Sequence, residues 1–234
     1  NAVAGQALRQ DLQGPLRSLQ TAPAPYEVRI HRRYNPEGLS RYNIVPGLIG
    51  TILTMTMVML TGLAMTRERE RGTMENLLAT PVRPSEVMVG KILPYVVMGY
   101  IQLAVILLAA FALFQVPMEG SMLLLMAMIG VFIIANLAVG FTFSTIARNQ
   151  LQAMQMTFFF FLPSMLLSGF MFPFRAMPVW AQRVGEVLPL THFLRIVRGI
   201  LLKGNSAPQV LGELWPMLAF MTVVSVVALK RYRQ

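Results

Sequence analysis

ILPYVVMGYIQLAVILLAAFALFQVPM, residues 92–118, is a run of 27 residues without a single Asp, Glu, Lys or Arg. A helix rising about 1.5 Å per residue needs about 20 apolar residues to cross a hydrocarbon core of roughly 30 Å, and helices of water-soluble domains seldom sustain such a run. The same reading extends outward in both directions: residues 42–66, 120–147 and 149–174 are uncharged windows of 25, 28 and 26 residues. A fifth, weaker window covers 207–229, with Glu213 near one end and Lys230, Arg231 and Arg233 just beyond the other. The expected spans are therefore 44–66, 87–115, 121–146, 151–172 and 208–229. Across all 234 residues, 55% are hydrophobic and 13% charged, and the mean hydropathy is +0.58. That composition excludes both a soluble enzyme and a disordered tail.

The formal charge of +10 comes from 20 Lys plus Arg against 10 Asp plus Glu. In a soluble domain it would point to nucleic acid. Beside spans it is read instead as headgroup contact and orientation, because basic residues resist translocation. The terminal cluster Lys230, Arg231 and Arg233 places the C-terminus in the cytoplasm. Counting back through five spans, loops 67–86 and 148–150 are inside, and 116–120, 173–206 and the N-terminal segment are outside. The inner loops are short and densely basic. With no Cys in the chain, a disulfide frame, a thiolate nucleophile and a Cys-based metal site are excluded.

Residues 1–43 carry no signal-like apolar run. Leu8, Leu12, Leu16 and Leu19 recur at helical spacing, and Tyr26, Val28 and Ile30 alternate with Glu27 and Arg29 as a half-buried strand would. This segment is expected to be the end of a small external α/β domain. An outside N-terminus without a signal requires a further span upstream, so six spans are expected in the intact chain. The fold class expected is an all-α polytopic membrane protein of five spans, residues 44–234, preceded by that remnant.

The connector 67–86 reads RERERGTMENLLATPVRPSE. Arg67, Glu68, Arg69 and Glu70 cannot lie in hydrocarbon, so the helix must emerge there. Gly72 breaks it, Thr73 can cap a new helix, and Met74, Leu77 and Leu78 fall on one face before Pro81 ends it. One reading is a charged connector whose leucines fold back on the bundle. The other is a docking helix for a cytoplasmic subunit, in which each buried apolar side chain contributes roughly 1.5–3 kcal/mol.

ERERGTMENLLATPVRPSE resembles the cytoplasmic connector of permease subunits of type-2 ATP-binding cassette (ABC) exporters, which reads approximately E-R/K-E-x-G-T-x-E-x-L-L-x-T-P. The positions that match are Glu68, Arg69, Glu70, Gly72, Thr73, Glu75, Leu77, Leu78, Thr80 and Pro81. LLSGFMFPFRAMPVWAQ (166–182) and LPLTHFLRIVRGILLKG (188–204) are similar to a second block of that family, and RYNPEGLSRYNIVPGLI resembles the subgroup with an external domain between its first two spans. The resemblance implies a multi-pass permease of the inner membrane, with ATP and Mg held by a separate cytoplasmic ATPase subunit and no cofactor in this chain. It implies coupling through the connector, Met74 included, and a second permease subunit, identical or not. A periplasmic adaptor is a further candidate partner.

Read on its own residues, 173–206 is a hairpin. Pro178 starts a short helix over 179–187 stopped by Pro189, and Thr191 caps a second helix closed by Gly204. The hairpin can be an interfacial lid or can re-enter the membrane. In the family the region resembles the external hairpin closing the outer mouth of the pathway, with Arg198 at its Arg-Gly step. His192 has no second His or carboxylate at ligand spacing and is read as part of the helix's first turn.

Polar side chains in the spans are few: Gln102 and Gln115, then Asn136, Thr142, Ser144 and Thr145, then Gln152, Gln155, Ser164 and Ser168. None is ionisable, which disfavours an ion-coupled carrier. Asn136 either lines a conduit or bonds between helices. Phe158 to Phe161 ring a whole turn of a helix kinked by Pro163. Asn136, Phe158, Phe161, Ser168 and Arg198 are the candidates for the pathway or outer gate. Gly47, Gly50 and Gly62 in the first span, with Ser164, Ser168 and Gly169 in the fourth, allow close approach and mark a candidate subunit interface.

No catalytic, cofactor-binding or metal site is expected. Around Gly90 and Lys91 a phosphate loop fails twice, at Ser85 and Ile92. Ser168 lacks a paired base. The function expected is the permease subunit of an ABC exporter moving a hydrophobic or amphipathic substrate, with a non-transporting membrane scaffold as the alternative.

Overall fold

The computed structural model describes residues 41–72 and 84–232. Among them lie seven α-helices and no strand: α1 (Arg41–Glu70), α2 (Pro84–Ala112), α3 (Met122–Ile146), α4 (Gln150–Leu167), α5 (Val179–Gly185), α6 (Pro189–Lys203) and α7 (Ala207–Tyr232). Four helices are long and apolar enough to cross a bilayer: Tyr42–Glu68, Ile92–Ala112, Met122–Ile146 and Ala207–Arg231. The remaining expected span, 151–172, is the shorter α4 of 18 residues, about 27 Å long at ~1.5 Å per residue. Gln150, Gln152 and Gln155 dilute its first turns. It ends at Leu167 rather than 172 because Gly169 takes a left-handed φ of 84°. The expected α/β remnant falls outside the described residues, except that 41–43 already belong to α1.

The long helices alternate in direction. Gly47 of α1 lies against Phe170 beyond the end of α4, and Gly62 faces Thr157. Farther along, Arg67 reaches Gln150 at the start of α4, so α1 and α4 are antiparallel. Similarly, Phe132 of α3 lies level with the region of Gly50, and Gly140 packs on Val58 and Thr61, making α3 parallel to α1. The start of α7 faces the hairpin, and its Val224 carbonyl accepts from Thr142 at 3.3 Å. One end of the bundle therefore carries the hairpin and the other carries the connector and the C-terminus of α7.

α1 and α3 form the centre, packed on each other, while α7 lies against α3, α4 against α1, and α2 at the periphery. The outward face of α2 is an exposed stripe of Leu93, Val97, Ile101, Val105 and Leu108. Such a stripe suits lipid, where helices gain little from hiding apolar surface and depend on close packing. Close packing is visible at Gly140, where an added Cβ would sit 2.4 Å from the Val58 carbonyl. Buried hydroxyls of α1 are satisfied within it: Thr54 donates to the Gly50 carbonyl at 2.8 Å, Thr61 to Met57 at 3.0 Å and Thr66 to Gly62 at 2.7 Å. Thr56, partly buried, also donates across to the Gln102 side-chain oxygen of α2 at 2.9 Å.

The glycines expected at a subunit interface serve the chain's own packing. A Cβ at Gly47 would collide with Phe170, and one at Gly50 would meet Leu190 and Phe193. Ser164 and Ser168 are likewise buried.

Candidate functional site

At the connector end, α1 runs out of hydrocarbon through Arg67, Glu68, Arg69 and Glu70, as their charge requires. Glu70 does more than leave the membrane. Its carboxylate accepts the backbone N–H of Gln150 at 2.8 Å and a bond from the Gln150 side-chain amide. Arg67 donates to the Gln150 side-chain oxygen at 3.4 Å. An acceptor at the first turn of a helix satisfies one of its unpaired N–H groups and complements its dipole. These bonds hold the Glu70 carboxyl below its ordinary value, the Gln150 side chain contributing most. The root of the connector is thus tied to the start of α4. Gly72, at φ 69°, ends the helix in a conformation that favours glycine. Thr73, Met74, Glu75, Leu77, Leu78 and Pro81 lie outside the described residues.

At the hairpin end, α6 is enclosed by α1, α3, α4 and α7. Leu190, Phe193, Leu194, Val197, Ile200 and Leu201 are all buried. Phe193 stacks on Phe132 with centroids 3.8 Å apart. Phe132 lies ten residues into α3, about 15 Å from its start at ~1.5 Å per residue. α6 is thus packed inside the bundle rather than laid on its surface. α5 stays at the surface, with Val179, Trp180 and Val184 exposed.

The second hairpin helix begins earlier than its expected cap. Pro189 occupies the first helical turn, and Thr191 donates instead to the Gly185 carbonyl at 2.6 Å, tying α6 to the end of α5. Gly204 closes the helix with φ 65° as expected. The 113–121 segment is tied to the same place through the Glu119 N–H and the Leu201 carbonyl at 3.1 Å.

His192 is not merely a residue of the first turn. It is buried, with Nε2 2.8 Å from the Glu186 carbonyl and Nδ1 2.7 Å from the Glu213 carboxylate. A carbonyl only accepts, so Nε2 is the nitrogen that donates to it, and Nδ1 faces the carboxylate. Arg195 bonds Glu186 at 2.6 Å and Glu213 at 3.3 Å, and its guanidinium lies 4.8 Å from the centre of the Phe174 ring. The Arg195 bond is the main cause that holds the Glu186 carboxyl below its usual range. Four ionisable groups thereby join α5, α6 and α7. Sequence spacing could not show this: Glu213 is 21 residues from His192 and on another helix. The one signal was that Glu213 is the sole carboxylate in α7.

The remaining candidates do not form one lining. Asn136 is fully buried; its amide donates to the Phe132 carbonyl of its own helix at 2.8 Å, and its Oδ1 has no partner. It makes no interhelical bond. Phe158 is exposed on the outer face of α4 with Phe159 and Leu162, and Phe161 is half-buried. Phe160, its neighbour, makes an edge contact with Phe143. Ser168 is buried and bonds the Met165 carbonyl at 3.1 Å. Arg198 reaches the Gly169 carbonyl at 3.3 Å and the Asn43 carbonyl at 3.5 Å. Ser168 and Arg198 share one cavity, whereas Asn136, Phe158 and Phe161 lie away from it.

Residues 1–230 match the model of the family described as "ABC-2 family transporter protein". Among curated relatives, "Probable multidrug ABC transporter permease YbhR" of Escherichia coli K12 is 30% identical over 229 residues, 98% of this chain and 62% of that protein. "Probable multidrug ABC transporter permease YbhS" of the same organism is 35% identical over 187 residues, 80% of this chain and 50% of that protein. "Inner membrane transport permease YhhJ", also from that strain, is 32% identical over 235 residues, 96% of this chain and 58% of that protein. The chain thus spans between half and about three-fifths of the length of these relatives. With the family model matched along nearly all of the sequence, and the alternating bundle to match, this chain belongs to the ABC-2 family of transporter proteins.

Proposed function

We propose that this chain is the membrane-spanning permease part of an ATP-driven exporter, with ATP hydrolysed by a separate cytoplasmic subunit. The family match over residues 1–230 carries the reading. Two features of the bundle support it. The connector root is tied by Glu70 to the start of α4, so force applied to the connector reaches two helices. The opposite end is filled by a helix seated about 15 Å deep (at ~1.5 Å per residue of α3), a natural closure for a pathway. In this reading the connector end and the C-terminus face the cytoplasm, and the hairpin faces outward.

A solute path forms between two permease subunits rather than within one. Ile44, Leu48, Ile52, Met55, Met59 and Leu63 follow one another on α1, each partly or fully exposed, and offer an apolar face for a partner. Such a lining favours hydrophobic or amphipathic cargo, in keeping with the word multidrug in the names of two relatives. The test is ATP turnover by the complete protein with its ATPase subunit in nanodiscs. Amphipathic drugs should stimulate it, and Leu77→Asp with Leu78→Asp should abolish the stimulation and weaken copurification of the ATPase. Stimulation by polar sugars alone would overturn the cargo assignment. Unchanged turnover and copurification in the double variant would overturn coupling through the connector.

A further inference from the structure

Arg195 and Arg198 line the same cavity of about 410 Å3 at the hairpin end, yet their partners differ. Arg195 has two carboxylates and an aromatic face. Arg198 meets no carboxylate within ion-pair distance among the described residues. Its contacts are peptide carbonyls at 3.3–3.5 Å, longer than charge-assisted bonds ordinarily run. Its Nε is buried with no acceptor. Arg198 is partly buried; a guanidinium offers five N–H donors and cannot escape its charge, so withdrawing even part of it from water without a counter-charge is costly. Burial alone pushes its pKa down, as expected where negative charge is lacking.

The lining is mixed, polar and apolar in nearly equal share. Phe170, Met171, Pro173, Phe174 and Leu194 supply its apolar part, and the exposed Phe172 stands between two of these lining residues in sequence. Asn43 stands in the first turn of α1 and Gly169 just past the end of α4, where helices leave the hydrocarbon and where aromatic side chains collect at the headgroup level. At ~30 Å3 per water, the cavity holds roughly a dozen water volumes, more than an inorganic phosphate fills.

We propose that this cavity binds the phosphate ester of an amphiphile, its oxyanion paired with Arg198 and its apolar chain leaving past Phe170 and Met171. Arg198 supplies planar donors to the phosphate oxygens. Arg195, already neutralised by Glu186 and Glu213, shapes the wall beside Phe174. The apolar part of the lining selects a molecule with a tail over a free anion.

Binding is read without ATP or a partner subunit, so its outcome is separate from that of the transport proposal. The intact protein, purified in an uncharged detergent, is titrated with phosphatidylglycerol, diacylglycerol and glycerol phosphate, and bound molecules are counted by native mass spectrometry. One saturable phosphatidylglycerol site is expected, at least tenfold tighter than diacylglycerol or glycerol phosphate. Arg198→Ala should weaken it tenfold or more, and Arg198→Lys should recover part of the loss. Met171→Glu keeps Arg198 and changes an exposed lining position; it should weaken binding to a similar degree. Equal affinity of wild type, Arg198→Ala and Met171→Glu would overturn the proposal. Glycerol phosphate binding as tightly as phosphatidylglycerol would overturn the requirement for a tail and assign the site to a free phosphate ester.

Discussion

The contact of His192 with Glu213 should be one of the main fastenings of α6 to α7, and its strength follows from its surroundings. The His192 side chain is 6% exposed and that of Glu213 32%, so the pair is shielded on one side and open to water on the other. Replacing Glu213 by Leu leaves Nδ1 of His192 without its partner. An orphaned buried polar group costs about 1–3 kcal/mol, and Arg195 loses one of its two carboxylates while keeping Glu186. We expect Glu213→Leu to destabilise by about 2–3 kcal/mol. At ~2–4 °C per kcal/mol for a chain of this size, that is a fall of roughly 4–12 °C in Tm. His192→Leu should cost about 1–2 kcal/mol, because it also frees the Glu186 carbonyl. In the double variant neither orphan of the pair remains, so its loss should be at least ~1 kcal/mol smaller than the sum of the singles. The assay is thermal unfolding of the purified protein in one detergent, followed by size-exclusion fluorescence, for all four members of the cycle. Additivity within about 0.5 kcal/mol would refute the reasoning, since it would mean the two side chains do not act through each other.

Gly140→Ala should lower yield and Tm, by about 1–3 kcal/mol, because its Cβ meets the Val58 carbonyl backbone at 2.4 Å; Gly62→Ala, whose nearest atom is at 3.6 Å, should be tolerated. Asn136→Leu exchanges one intrahelical bond and one orphaned oxygen for an apolar side chain, so Tm should hold or rise within about 1 kcal/mol; a larger fall would reveal a partner for Oδ1. The Glu70 carboxyl is held below its ordinary value in the folded chain, so its tie to Gln150 is complete above the unfolded value and is lost as pH falls through the lowered one. Hydrogen-exchange protection of the Gln150 amide should follow that course, and Glu70→Gln should remove the pH dependence; protection independent of pH in the wild type would refute it.

Four long apolar helices and their order were legible along the chain. In hydrocarbon each helix satisfies its own backbone, so the signal for α1, α2, α3 and α7 is a local property of uncharged windows. Breaks with local causes were legible too, Gly72 and Gly204 among them, because a left-handed φ is a demand on one residue. Where charge forced α1 out of the membrane, Arg67 to Glu70 marked the place, though not the grip of Glu70 on Gln150, 80 residues away.

The rest was decided between helices. Gly47 and Gly50 read as surfaces for a second subunit, yet Phe170, Leu190 and Phe193 of the same chain fill the space beside them. Residues 188–204 carry an apolar stripe that serves equally on a membrane surface or inside a bundle. Only the room left between α1, α3 and α7 puts α6 inside. His192 and Glu213 each look solitary in sequence, and only that insertion brings them to 2.7 Å. Hydropathy belongs to a segment and can be read from it alone, whereas close packing and charge pairing belong to surfaces that meet only after the chain has folded.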